Sequence, residues 1–139
     1  MNATPQTITI TVERMIAATP EQAFDAWLDP AVPGTLWNMA DKLILDPRED
    51  GMFYWRIHGT PHYGYFTELT RGRLLRHTWM SPYTGGLEST VSVSFQATPS
   101  GTCMTVVHSG LPDSDGGRSH DKGWNSILDG FSQRLAQAA

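Results

Sequence analysis

The chain holds one cysteine, Cys103, among 139 residues. No internal disulfide framework can form, no thiolate zinc site can be built, and such usage fits a reducing, cytoplasmic setting. No run approaches the roughly 18 consecutive apolar residues of a spanning helix. No basic-then-apolar segment precedes a small-residue cleavage site near the start, so a soluble protein without a membrane partner is expected. Basic charge is scarce as well: 10 Lys and Arg stand against 14 Asp and Glu, for a net charge of -4. The arginines are scattered, whereas a phosphate-tracking surface needs them clustered, so nucleic acid is not an expected partner.

The common catalytic signatures are missing too. There is no nucleophile elbow with a Ser-His-Asp order, no glycine-rich phosphate loop and no His-Glu-x-x-His. Paired carboxylates are absent from inward strand positions, leaving Asp25, Glu68 and Asp121 as isolated acids, solvated or paired with arginine. No cofactor and no metal are expected.

What the chain does have is periodicity. Residues 7–16 alternate through Ile8, Ile10 and Val12, the pattern of a strand with one buried face. Thr19-Pro20-Glu21-Gln22 reads as a helix start, with Thr19 as N-cap, Pro20 in the first turn and Gln22 completing a capping box. That helix buries Ala23, Phe24, Trp27 and Leu28 and stops at Asp29-Pro30. A second short helical piece is expected around Leu36 and Trp37.

From Lys42 the pattern is strands, at 42–46, 52–58, 62–70, 73–80, 88–97 and 102–109. They are separated by turn chemistry at Glu49-Asp50-Gly51, Gly59-Thr60-Pro61, Thr70-Arg71-Gly72, Thr84-Gly85-Gly86 and Pro99-Ser100-Gly101. Connections this short cannot join parallel strands, so the sheet is an antiparallel meander. Beyond Pro112, Trp124, Ile127, Leu128, Phe131 and Leu135 fall at i, i+3, i+4, i+7 and i+11, one stripe on a long C-terminal helix.

Inward parities follow from alternation: Phe53, Trp55 and Ile57; Leu75, His77 and Trp79; Val91, Val93 and Phe95; Met104, Val106 and His108. Strand 62–70 is ambiguous, because Tyr63, Tyr65 and Leu69 compete with His62, Gly64 and Phe66, and Gly64 is a candidate bulge. The fold class is therefore α+β: a curved antiparallel sheet of about seven strands wrapped around a helix of roughly 20 residues, with two short helices after the first strand. Residues 1–139 make one domain by length.

The residues that carry a family resemblance are Ala18-Thr19-Pro20-Glu21-Gln22-Ala23-Phe24-Asp25-Ala26-Trp27, then Asp46-Pro47-Arg48 with Gly51, Gly64 and Thr78-Trp79. Gly101-Thr102, His108-Ser109-Gly110-Leu111-Pro112 and His120 with Gly123-Trp124 complete it. In this order and spacing the chain resembles the START-like SRPBCC superfamily, also called helix-grip or birch-pollen-allergen-like. Within it, the chain looks most like the branch related to the Aha-type activator of a heat-shock chaperone ATPase. The resemblance runs from about Thr7 to Leu135 and implies a cavity between sheet and C-terminal helix. Fold alone does not fix function in so varied a superfamily.

The expected ligand-binding residues line that gap. The sheet side supplies Phe53, Trp55, His77, Trp79, Phe95 and His108, and the helical side Trp37, His120, Trp124 and Leu128. Large aromatics either stack on a flat apolar ligand or plug the space themselves. His108 and His120 either converge on a cavity mouth or hydrogen-bond loop carbonyls to hold the strand-to-helix junction. His58 and His62, flanking a Gly-Thr-Pro turn, read as exposed loop residues.

Three functions are open at this point. The first is a small-molecule binding protein for an apolar or aromatic ligand. The second is a cyclase- or lyase-like enzyme with His108, His120 or His77 as acid-base groups. The third is a chaperone ATPase-activator-like interaction module. A homodimer is a further possibility.

Overall fold

The computed structural model describes residues 6–138. Strand β1 (Thr7–Ile16) leads into helix α1 (Pro20–Trp27). Six strands follow: β2 (Lys42–Leu45), β3 (Met52–Ile57), β4 (Thr60–Thr70), β5 (Leu74–Trp79), β6 (Ser89–Thr98) and β7 (Gly101–Pro112). Helix α2 (Asp115–Ala138) ends the chain, and a 3-10 turn, Pro82–Thr84, interrupts the β5–β6 connection. The strands form one antiparallel sheet in the order β1-β7-β6-β5-β4-β3-β2. This curved sheet with its long C-terminal helix is the α+β helix-grip architecture.

The start of α1 follows its sequence signals. Gln22 N–H donates to Thr19 Oγ1 at 3.2 Å and Thr19 N–H to Gln22 Oε1 at 3.0 Å, so two otherwise unpaired donors are satisfied reciprocally. The helix buries Ala23, Phe24 and Trp27. No second helix forms around Leu36 and Trp37. Residues 28–41 run as successive turns, because Pro30 and Pro33 lack N–H groups and Gly34 sits at φ 82°. Leu36 and Trp37 are nevertheless wholly buried. Here burial is set by the core and not by a helical stripe.

Three local features set which side chains face inward. The β3–β4 reversal is a two-residue turn on His58 (φ 50°) and Gly59 (φ 77°), a turn type whose twist matches that of the flanking strands. Expected at Gly59-Thr60-Pro61, the turn sits one residue earlier, so Thr60 and Pro61 are already in β4. The second feature is a bulge at Thr67, between the pairs Phe66↔His77 and Glu68↔Arg76. It brings both Phe66 and Leu69 to the inner side and resolves the ambiguous parity in favour of His62, Gly64 and Phe66. The third lies in β7, where Ser109 and Gly110 together oppose Thr9 and Gly110 takes φ 74°. His108 and Leu111, three residues apart, are therefore both fully buried.

Gly64 is not itself a bulge. A Cβ there would run into the backbone carbonyl of Thr78, whose hydroxyl accepts the Tyr65 N–H at 3.0 Å. Gly64→Ala must displace β5 and is expected to cost about 2–3 kcal/mol, the scale of a core overpacking. A shift in the urea midpoint reads this out, and an unchanged midpoint would show that β4 and β5 can separate there freely.

Helix α2 starts later than Pro112 suggests. Arg118 N–H donates to Ser114 O at 2.8 Å and Gly117 N–H to Ser114 Oγ at 3.1 Å, which makes Ser114 the cap. Its buried stripe is Trp124, Leu128 and Phe131, with Ile127 and Leu135 partly covered. Arg14 on β1 ties the helix down through Asp129 (2.8 Å) and Asn125 (2.6 Å).

Candidate functional site

All five tryptophans, Trp27, Trp37, Trp55, Trp79 and Trp124, are at most 4% exposed and belong to the packed core. Trp27 joins α1 to α2, 6.5 Å from Trp124 and 5.2 Å from Phe131 between ring centres. Six of the residues expected to line a cavity lie in this filled interior. Trp37, Phe53 and His77 form an aromatic cluster with Phe66. Phe95 meets Phe24 edge-on at 5.5 Å, and Leu128 and His108 have no exposed surface.

Among the described residues, a pocket opens at one end of the sheet, between the β3–β4 hairpin, the 3-10 turn and the first half of α2. It is a pocket of about 160 Å³ lined by Trp55, Ile57, His62, Trp79, Tyr83, Ser119, His120, Gly123, Trp124 and Ile127. Of the residues named from sequence, Trp55, Trp79, His120 and Trp124 border this space. His62 and Tyr83 were missed as wall residues. His62, expected in an exposed loop, is a β4 residue only 5% exposed, packed 4.7 Å from Trp55 and 5.0 Å from Trp79. The alternation His62-Gly64-Phe66 carried that signal once the turn is placed on His58 and Gly59.

His108 stands behind the pocket wall in a chain of hydrogen bonds that fixes its tautomer. Ser89 Oγ–H donates to Trp79 O at 2.6 Å, so Ser89 can only accept from His108 Nε2–H, at 2.7 Å. His108 Nδ1 then keeps its lone pair and accepts the indole N–H of Trp124 at 2.9 Å. The ring is neutral, and burial, with His120 and His77 nearby, pushes its pKa down to about 2. Adding a proton would break the bond to Trp124. His108 is a structural link between β7, β6 and α2.

His77 is neutral for the same reason, with burial lowering its pKa to about 4. Its Nδ1–H donates to Thr78 O at 2.8 Å, while Nε2 is enclosed among aromatic rings without a partner. His62 and His120 behave differently because they border the pocket. His120 Nδ1–H donates to Gly116 O and Gly117 O at 3.0 and 3.1 Å, and His62 Nδ1–H to Thr60 O at 3.2 Å. With Nδ1–H so engaged, Nε2 of each neutral ring carries the lone pair; the backbone of Trp55 also lies close to the His62 ring. Burial lowers the pKa of His62 to about 4 and that of His120 below its ordinary value, so both are acceptors at neutral pH.

Among the described residues no three His, Cys, Asp or Glu side chains are grouped to hold a metal ion. No helix among them is long and apolar enough to cross a membrane.

Residues 17–136 match the model of the family described as "Activator of Hsp90 ATPase homolog 1-like protein". No curated protein matches the chain. Several solved structures share its fold. Protein MLL2253 from Mesorhizobium loti is 23% identical with a TM-score of 0.78, over 95% of this chain and 99% of its own. CalU16 from Micromonospora echinospora is 20% identical with a TM-score of 0.74, over 91% of this chain and 75% of its own. The Aha1 dimer from Colwellia psychrerythraea is 16% identical with a TM-score of 0.76, over 92% of this chain and 96% of its own. At these identities the likeness is one of fold. With the family model spanning most of its length, the chain belongs to the activator of Hsp90 ATPase homolog 1-like family, in the branch of the SRPBCC superfamily related to Aha1.

Proposed function

We propose that this protein binds a small aromatic molecule at the open end of the sheet, in the pocket bounded by Trp55, Trp79 and Trp124. The observation that carries this reading is the pocket's make-up: three indole rings, Ile57 and Ile127 as apolar walls, and two neutral histidines as its polar element. Mostly apolar walls with a few fixed polar groups are what orients a ligand. Its size limits the occupant. About 160 Å³ is comparable with the roughly 150 Å³ apolar void that takes up benzene, and well short of drug-sized sites. One ring fits, and a long acyl chain does not.

A histidine-driven cyclase or lyase is not favoured: His77 and His108 are enclosed behind the wall, and His120, which does border the pocket, is bonded to Gly116 O and Gly117 O with no carboxylate among the lining residues to partner it. Cys103 as the lone cysteine keeps the proposed setting cytoplasmic.

Toluene tests the reading. Added well above its Kd, it is expected to change tryptophan emission and to raise the melting temperature; a 100-fold excess over Kd corresponds to about 2.7 kcal/mol. Dodecanoic acid should do neither. Ile127→Trp, which places an indole in the space, should remove the toluene response while the protein still melts cooperatively. Toluene without effect on emission or melting would overturn the proposal.

A further inference from the structure

The lining groups of the pocket differ sharply in hydrogen-bonding sense. Trp124 Nε1–H is engaged by His108 and Trp55 Nε1–H by Leu36 O at 2.7 Å. Trp79 Nε1–H is enclosed without a partner, and so not open to an occupant. Ser119 Oγ–H donates to Gly116 O at 2.6 Å, and the two imidazole Nδ1–H groups donate to backbone carbonyls. Apart from the Tyr83 hydroxyl, no side-chain donor of the wall is free to meet a ligand. What the wall offers is lone pairs, on His62 Nε2, His120 Nε2 and Ser119 Oγ.

Charge narrows the class further. No Asp, Glu, Lys or Arg lines the pocket, so an ionised ligand would lose its hydration without gaining a counter-charge. A group that only accepts hydrogen bonds would face lone pairs on the imidazoles.

Resting on the ligand-site reading above, we infer that the pocket selects neutral single-ring aromatics carrying a hydrogen-bond donor, of which a phenol is the simplest. The ring lies among Trp55, Trp79 and Trp124, and its hydroxyl donates to Nε2 of His62 or His120. Tyr83, 6.2 Å from the His62 ring and 6.5 Å from His120, closes over that polar end.

Phenol, anisole, toluene and benzoate titrated at pH 7.5 into the full chain, followed by calorimetry, separate the terms. Phenol is expected to bind about tenfold more tightly than toluene or anisole, equivalent to about 1.4 kcal/mol, with benzoate weakest. His62→Phe and His120→Phe keep an aromatic ring in the wall, and in at least one of them phenol should lose its advantage over toluene. The wild-type series stands by itself should a variant fold poorly. Toluene binding as well as phenol would overturn the donor selection and leave the ligand site intact. No heat from any of the four would overturn both.

Discussion

Trp124→Ala should be the most damaging single substitution at the site, lowering stability by about 4–8 kcal/mol. Removing a wholly buried tryptophan costs about 3–5 kcal/mol through lost burial and the void left behind. Here a second loss is added. His108 Nδ1, bonded to the Trp124 N–H at 2.9 Å, becomes a buried acceptor with no partner, worth about 1–3 kcal/mol. Trp124→Phe separates the two losses, since it keeps most of the ring and drops the donor. It should cost about 1–2 kcal/mol and raise the pKa of His108, because a proton on Nδ1 would no longer displace a bond. Urea unfolding measures the first effect and the imidazole NMR titration the second. Equal stabilities of wild type and Trp124→Phe would mean that the Trp124–His108–Ser89–Trp79 chain contributes nothing.

Acid should unfold this protein early. Folded His77 and His108 have pKa values lowered to about 4 and about 2, while the unfolded chain takes up protons on the same residues below about 6.5. Between those values the unfolded state binds more protons, so stability is complete above pH 6.5 and declines as pH falls toward the folded values. Each fully buried imidazole contributes a slope of about 1.4 kcal/mol per pH unit. By pH 4.5 the pair removes roughly 5 kcal/mol, a large part of what holds an ordinary domain together. His62 and His120 act in the same direction. Urea midpoints at pH 7.5, 6.0 and 5.0 should drop steeply, and His77→Leu, which deletes an unpartnered buried nitrogen but also the bond to Thr78 O, should cost about 1–2 kcal/mol at pH 7.5 while making the decline shallower. A midpoint unchanged between pH 7.5 and 5.0 would contradict the enclosed neutral rings.

Much of the fold was legible because it rests on repeating patterns. The capping box at Thr19 and Gln22 marked α1, and the stripe from Trp124 to Leu135 marked α2. Alternation assigned Phe53, Trp55, Val91, Val93 and Phe95 to the inner side correctly. What escaped depends on single-residue irregularities. The bulges at Thr67 and at Ser109-Gly110 reverse strand phase without a compositional mark, apart from the one glycine. The apolar pair Leu36-Trp37 suggested a helix, but turns rich in proline bury the same side chains.

The surroundings of the candidate pocket were less legible for a related reason. Indoles at inward positions were visible, but whether they surround a space or occupy it depends on how closely α2 approaches the sheet, which periodicity does not encode. Trp37 ended in the filled part and Trp55 at the opening. His62 was hidden by a turn placed one residue too late, on a stretch where a histidine, not a glycine, adopts the first positive φ.

The extra residue at Thr67 lets one strand serve two walls: before it His62 and Phe66 face inward at the hairpin end, and beyond it Leu69 does. Leu69 there pairs with Leu75. With an unbroken period of two, His62 and Leu69 would stand on opposite faces of the sheet, so the added residue is what allows the hairpin end and the deep interior to be walled by the same strand.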